Sequence, residues 1–177
     1  QQPALELNWG DRTRIDPLRR GGTAGYLLNV GEVGRMLARF EPNILHAHYA
    51  GGFGLTAMLT RFRPKVLSVW GADVYDVPAV SPFHAWLIKR ILLSPDALTS
   101  TSQVMAHQVR RLGIERPISV VPFGIDTALF APSRENRSDG AIRIGLVKTM
   151  AHKYGVDTLL RAFALLRGDP EIIGLGR

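Results

Sequence analysis

Residues 44–56 read Ile-Leu-His-Ala-His-Tyr-Ala-Gly-Gly-Phe-Gly-Leu-Thr, the start of an uncharged run that reaches Thr60. An apolar segment of strand length comes first, with two histidines two positions apart. A glycine cluster follows at Gly51, Gly52 and Gly54, and then helix-forming residues. Two histidines and three glycines break the run, so it predicts a strand, a loop and a helix rather than a membrane span. A strand with no charged residue on either face is covered on both sides, which is the mark of a parallel sheet.

The same rhythm extends in both directions. Strands are expected at Ala4–Asn8, Ile44–His48, Val66–Trp70, Ala97–Ser100, Ile118–Val121, Ile142–Val147 and Glu171–Gly174. Helices are expected between them. Val33, Met36, Leu37 and Phe40 form one apolar stripe. Ser81-Pro82 supplies a cap and a first-turn proline ahead of Leu87, Ile88, Ile91 and Leu92. Ser102 caps a helix with Met105, Val109 and Leu112 on one side, and Gly113 ends it. Leu159, Leu160, Phe163 and Leu166 mark the last. Alternating strands and helices give an α/β class with a mainly parallel, Rossmann-like sheet. Pro122–Gly140 breaks the rhythm with prolines, glycines and charges, so it reads as a linker. The expected organisation is a first domain over 1–121, a hinge and linker over 122–140, and the beginning of a second Rossmann-like domain over 141–177.

Composition excludes several classes. The 177 residues contain no cysteine, which removes disulfide scaffolds, thiolate zinc sites and cysteine nucleophiles. The formal charge is +7 and the sequence pI is about 10.4, which suggests an anionic partner such as a phosphorylated substrate or a membrane surface. The arginines are scattered, and no basic tail, zinc finger or aromatic-interleaved basic motif is present, so no nucleic-acid partner is expected. The start, QQPALELNWGDR, lacks the basic head and apolar middle of a signal peptide. Neither a GxGxxG after the first strand nor a Tyr-x-x-x-Lys pair occurs, which counts against a nucleotide-sugar epimerase or dehydrogenase.

In open α/β sheets, ligands bind beyond the carboxyl ends of the strands. That rule selects three loops. Gly51 and Gly52 after the 44–48 strand let backbone approach a ligand, or simply close a strand–helix unit. His46 and His48 share a face, and His48 lies nearer the strand end. No carboxylate completes a metal site beside them, so no metal is expected. Trp70, Gly71 and Asp73 follow the 66–70 strand. Trp70 can stack on a sugar or join the core, and Asp73 can accept a substrate hydroxyl or cap a turn. Lys148 and Lys153 flank a loop ahead of a helix start, where two ammonium groups suit a diphosphate and equally suit solvent.

Five segments taken together, EPNILHAHYA, KVLSVWGADVY, ALTSTSQVMAHQVRRLGI, ISVVPFGIDTALFAP and IRIGLVKTMAHKYGVDTLLRAFALL, resemble retaining glycosyltransferases of the GT-B fold, in the large family 4 that builds bacterial glycans. They span about Pro42 to Leu166. The resemblance implies two Rossmann-like domains across a cleft, the first holding the acceptor and the second a UDP- or GDP-sugar donor. It implies catalytic roles for Asp73 and His48, substrate contacts by Trp70, Gly71, Gly51 and Gly52, and donor diphosphate contacts by Lys148 and Lys153. Val121 to Asp126, with Gly124 and Asp126, falls at the family's hinge. Trp70 stands where the family commonly has histidine, and tryptophan is neither acid nor base. The resemblance further implies that the family's first strand precedes Gln1 and its donor-site glutamates follow Arg177, so this chain alone is expected to be inactive. No cofactor is expected beyond the donor substrate. A glycan or lipid-linked acceptor, a cytoplasmic location and a seat on an anionic membrane surface are the corresponding expectations. The alternative is a non-catalytic glycosyltransferase-like binding module.

Overall fold

The computed structural model describes residues 22–131 and 144–167. The chain divides into two compact units, Gln1–Thr127 and Ala128–Arg177. In the first, α1 (Gly22–Leu28) and α2 (Val30–Phe40) lead into β1 (Leu45–His48). Then come α3 (Gly52–Leu59), β2 (Lys65–Val69), α4 (Ala72–Tyr75), α5 (Val77–Val80), α6 (Pro82–Leu93), β3 (Ala97–Ser100), α7 (Gln103–Arg111) and β4 (Ser119–Val120). The strands form one sheet in the order β1-β2-β3-β4, and every pairing is parallel. The register sets His48 opposite Ser68, and Val69 opposite Ser100. This is the α/β, Rossmann-like architecture that the sequence predicts.

The core sits where the apolar runs cross. Leu67 and Val69 of β2 and Leu98 of β3 meet Ile88, Ile91 and Leu92 of α6 and Val109 of α7. Each of the larger side chains contributes roughly 1.5–3 kcal/mol by leaving water. Local chemistry fixes the helix ends. The Ser81 hydroxyl accepts the His84 N–H at 3.3 Å and opens α6 with Pro82 in its first turn. The Ser102 hydroxyl accepts the Met105 N–H at 3.2 Å and opens α7. Gly113 follows that helix at φ 79°, the left-handed conformation that ends it.

The opposite end of the sheet is held by polar groups that the sequence does not single out. Lys65 is buried and its Nζ donates to the Ala57 carbonyl at 2.9 Å, while its backbone N–H donates to Asp96 at 2.7 Å. Arg63 pairs with the same carboxylate. Arg116 donates to the carbonyls of Pro95 and Asp96. The Lys65 N–H holds the Asp96 carboxyl below its usual range against the cost of burial, and the Arg63 charge adds to it.

Three expectations change. The 118–121 strand shrinks to Ser119–Val120, between Pro117 and Pro122, which have no N–H to give a ladder. The described part of the 142–147 strand, Ile144 to Val147, is exposed and outside any strand. A strand is held by its ladder, and among the described residues these four have none. Helix α2 forms on its stripe, yet none of its residues is buried. The expected strands Ala4–Asn8 and Glu171–Gly174 lie outside the described residues.

In the second unit, a 3₁₀ turn (His152–Tyr154) precedes α8 (Val156–Arg167). Gly155 joins them at φ 66°. Val156 and Ala164 are buried.

Candidate functional site

Parallel pairing aligns the carboxyl ends of β1, β2 and β3, and the loops beyond them share one carboxylate. Asp73 has no exposed surface. It accepts the backbone N–H of Ala50 at 2.7 Å, of Gly71 at 2.8 Å and of Trp70 at 3.1 Å. The first bond crosses from the β2 loop to the β1 loop, and the other two close the turn that Asp73 itself follows. Gly71 makes that turn possible with φ 134°, a conformation that a side chain resists. A buried carboxylate that accepts three N–H groups positions the two loops, which is the turn-capping alternative that the sequence offers for Asp73.

Tyr49 carries the strain of the first loop. It adopts φ 80°, uncommon for a bulky L-residue. Its N–H donates to the Ser68 carbonyl at 2.8 Å, and its own carbonyl accepts from Gly54 at 3.1 Å. The turn is thus pinned on both sides. Burial, and after it the charges of Asp73 and Asp76, push the Tyr49 phenol above its ordinary value.

The side chains that do face outward are aromatic. His48 meets Trp70 edge to face with ring centres 5.6 Å apart, and Trp70 meets Phe123 likewise at 5.2 Å. Trp70 is 49% exposed and Phe123 67% exposed. Trp70 therefore belongs to the surface of the strand ends and not to the core. The sequence marks Phe123 only as a hinge residue. Its signal was its place just past β4, at the same end of the sheet. An open row of ring faces at strand ends suits the apolar C–H faces of a sugar, with polar groups at its edge.

Behind His48 lies a polar line across three strands. His46 Nε2 lies 2.8 Å from Ser68 Oγ, which lies 2.6 Å from Thr99 Oγ1. The rings of His46 and His48 are 4.0 Å apart, so both histidines share a face as their spacing predicts. Burial, and after it His48, lower the His46 pKa below 6.5 and favour the neutral ring. A cavity of about 350 Å³ runs along β1, walled by Val33, Leu45, His46, His48, Phe53 and Thr56.

The glycines divide. A Cβ on Gly52 would lie 2.2 Å from the Tyr26 ring, and one on Gly51 would lie 2.7 Å from the Tyr49 ring. Tyrosine rings lie against both glycines, so the two seat α3 against its neighbours, as in the alternative of a turn that closes a strand–helix unit. Thr56 adds to that seat by donating at 3.0 Å to Tyr26 O and Gly52 O. Gly124 and Asp126 lie in exposed, irregular chain after β4.

In the second unit, Lys148 is exposed and its Nζ lies 4.5 Å from the centre of the Tyr154 ring. His152 Nδ1 faces Asp157 Oδ2 at 3.2 Å. Lys153 belongs to the same turn; its side chain lies outside the described residues.

No curated protein matches the chain. A family model for glycosyl transferase 4-like proteins matches residues 5–102, a span that holds His46, His48, Trp70, Gly71 and Asp73 and more than half of the chain. Parallel strands, a Rossmann-like sheet and that match together make this chain a member of the glycosyl transferase 4-like family.

Proposed function

We propose that the chain carries the acceptor-side domain and the beginning of the donor-side domain of a retaining GT-B glycosyltransferase. It would move a hexosyl group from a UDP- or GDP-sugar to a glycan or lipid-linked acceptor in bacterial envelope polysaccharide synthesis. The observation that supports this most is the exposed His48–Trp70–Phe123 row at the strand ends. Trp70 and Phe123 offer faces for a pyranose, and His48 is the titratable group in the row, placed to take a proton from an acceptor hydroxyl. Asp73 and Gly71 position the row from beneath.

In this reading the bond from the anomeric carbon to the diphosphate breaks, and the acceptor oxygen replaces it on the same face of the sugar. Lys148 and Lys153, ahead of α8, offset the charge that develops on the departing diphosphate. Gly124 and Asp126 lie in the hinge between the domains. The work is cytoplasmic, and no resident cofactor is invoked.

The burial of Asp73 favours a second reading, a module that binds sugar without turnover. One experiment separates the two. UDP- and GDP-hexoses are titrated into the chain by calorimetry, and the complete enzyme is assayed for transfer, with product configuration read by NMR. Binding that weakens roughly tenfold in Lys148→Ala, and turnover that falls about 10²- to 10³-fold in Lys153→Ala, support transfer. Sugar binding with no donor consumption leaves the binding module. Unchanged turnover in Lys153→Ala removes that lysine from the site.

A further inference from the structure

The core helices gather on one face of the sheet, where Leu67, Val69 and Leu98 meet α6 and α7. Alternate residues of each strand point to the other face. There the register draws one line across all four strands: His48 of β1, Ser68 of β2, Thr99 of β3 and Ser119 of β4. Ser68 Oγ lies 2.6 Å from Thr99 Oγ1 and holds it in place. Both ends of the line, His48 and Ser119, are exposed, and Thr99 is half-buried. Trp70 borders the line at the strand ends, against the His48 ring, and Phe123 continues that border.

A parallel sheet ordinarily has both faces covered, and its strands are then apolar throughout. This face is built differently. Each strand sets a hydroxyl or an imidazole on the line, and no lysine, arginine or carboxylate stands on this face from β1 to β4. We propose that the line is a platform for a glycan chain: the acceptor is an oligosaccharide that lies across the strands, with its hydroxyls on His48, Thr99 and Ser119 and one ring against Trp70. The proposal rests on the glycosyl-transfer reading and narrows its acceptor to a glycan of several sugar units. Hydroxyls and imidazoles donate and accept hydrogen bonds, as sugar hydroxyls do. A packed helix or a bilayer calls for a continuous apolar surface here, and a nucleic acid calls for cations. At ordinary strand spacing the line is about 14 Å long, more than one pyranose covers. It runs into the His48–Trp70–Phe123 row, so a chain lying on it ends beside the group placed to take a proton.

The test is NMR titration of the full chain with gluco-, manno- and galacto-oligosaccharides of one to six units. In at least one series, affinity should rise about tenfold for each added unit up to about three, where the line ends, as each unit gains one or two hydrogen bonds. Ser119→Arg should cancel that gain and leave the single hexose unchanged. Val104→Arg on α7, an exposed site given the same charge, should leave the whole series unchanged. Trp70→Ala should weaken every length. The chain has no cysteine, so Ser119→Cys supplies its single thiol. A maleimide should label that thiol quickly, and slowly once the best tetrasaccharide is bound. Circular dichroism checks that each variant folds. The proposal is overturned if no oligomer binds, if affinity does not grow with length, or if Ser119→Arg keeps the gain. A thiol that stays unlabelled shows the face covered by the chain itself and overturns it equally. Transfer is read separately, as donor consumption by the complete enzyme. Length-dependent binding without consumption keeps the platform and leaves the binding module; consumption with length-independent binding overturns the platform alone.

Discussion

The carboxylate of Asp73 holds the backbone N–H of Ala50 at 2.7 Å, across a separation of 23 residues in sequence. This bond fastens the loop after β1 to the loop after β2, and with it the spacing of His48 from Trp70. Asp73→Ala leaves three N–H groups unpaired, two of them at the surface turn and one at buried Ala50. The expected cost is about 3–5 kcal/mol, read from urea unfolding of the whole chain. Asp73→Asn keeps one acceptor oxygen and should lose about half as much. Equal midpoints for both variants and the parent would show that the loops need no tie.

Gly71 and Gly124 are predicted to respond in opposite senses. At φ 134°, Gly71→Ala forces a side chain into a conformation it resists, and should cost about 1–3 kcal/mol. Gly124 has ordinary φ and open space around it, so Gly124→Ala should be neutral or stabilise by up to about 1 kcal/mol. Thermal midpoints of the two variants compare them directly.

His46 should make stability depend on pH. Its folded pKa lies below 6.5, so the unfolded chain takes up the proton first as pH falls. Its contribution is complete above pH 6.5 and is lost as pH falls below that value toward the folded pKa. Urea midpoints at pH 8 and pH 5 should differ less in His46→Gln than in the parent. An identical difference in both would assign the effect to other groups.

Asp96 should act lower on the scale. Its folded pKa lies below the ordinary 3.8, so its contribution is complete above that value and is lost as pH falls through the folded pKa. Asp96→Asn should flatten the acid limb of a pH–stability profile below about pH 4. It should leave the His46 region of the profile unchanged.

The elements nearest the sheet were legible in sequence because each is signalled locally. Ser81-Pro82, Ser102 and Gly113 mark helix ends through bonds to residues within three positions. The uncharged strands gave the parallel sheet, and β1 and β3 formed within one residue of expectation. What failed depends on partners far along the chain. Ile144 to Val147 look like a strand because β-branched runs usually find a ladder, and apolar character alone does not supply one. The 118–121 strand is the local exception, shortened between two prolines that the sequence itself displays and that have no donor to give.

The candidate site was legible in its residues and not in their roles. Position at a strand's carboxyl end selected His48, Trp70, Gly71 and Asp73, and all four do converge there. Type alone lets Asp73 accept a substrate hydroxyl or cap a turn, and only burial and three N–H donors show it holding backbone. Type alone leaves Gly51 and Gly52 as a ligand approach or a closed strand–helix unit, and only the rings of Tyr26 and Tyr49 show how closely the two glycines are packed. Phe123 joins Trp70 across 53 positions, and no periodicity carries that information.

The line His46–Ser68–Thr99 also bears on descent. Ser68 is nearly buried between its two partners. Replacing one member strands a hydroxyl in the sheet, whereas replacing Ser68 and Thr99 together by apolar residues of like size removes the need for both. The three positions should therefore vary as a linked set among diverging copies of this gene, with single changes rare and paired changes tolerated.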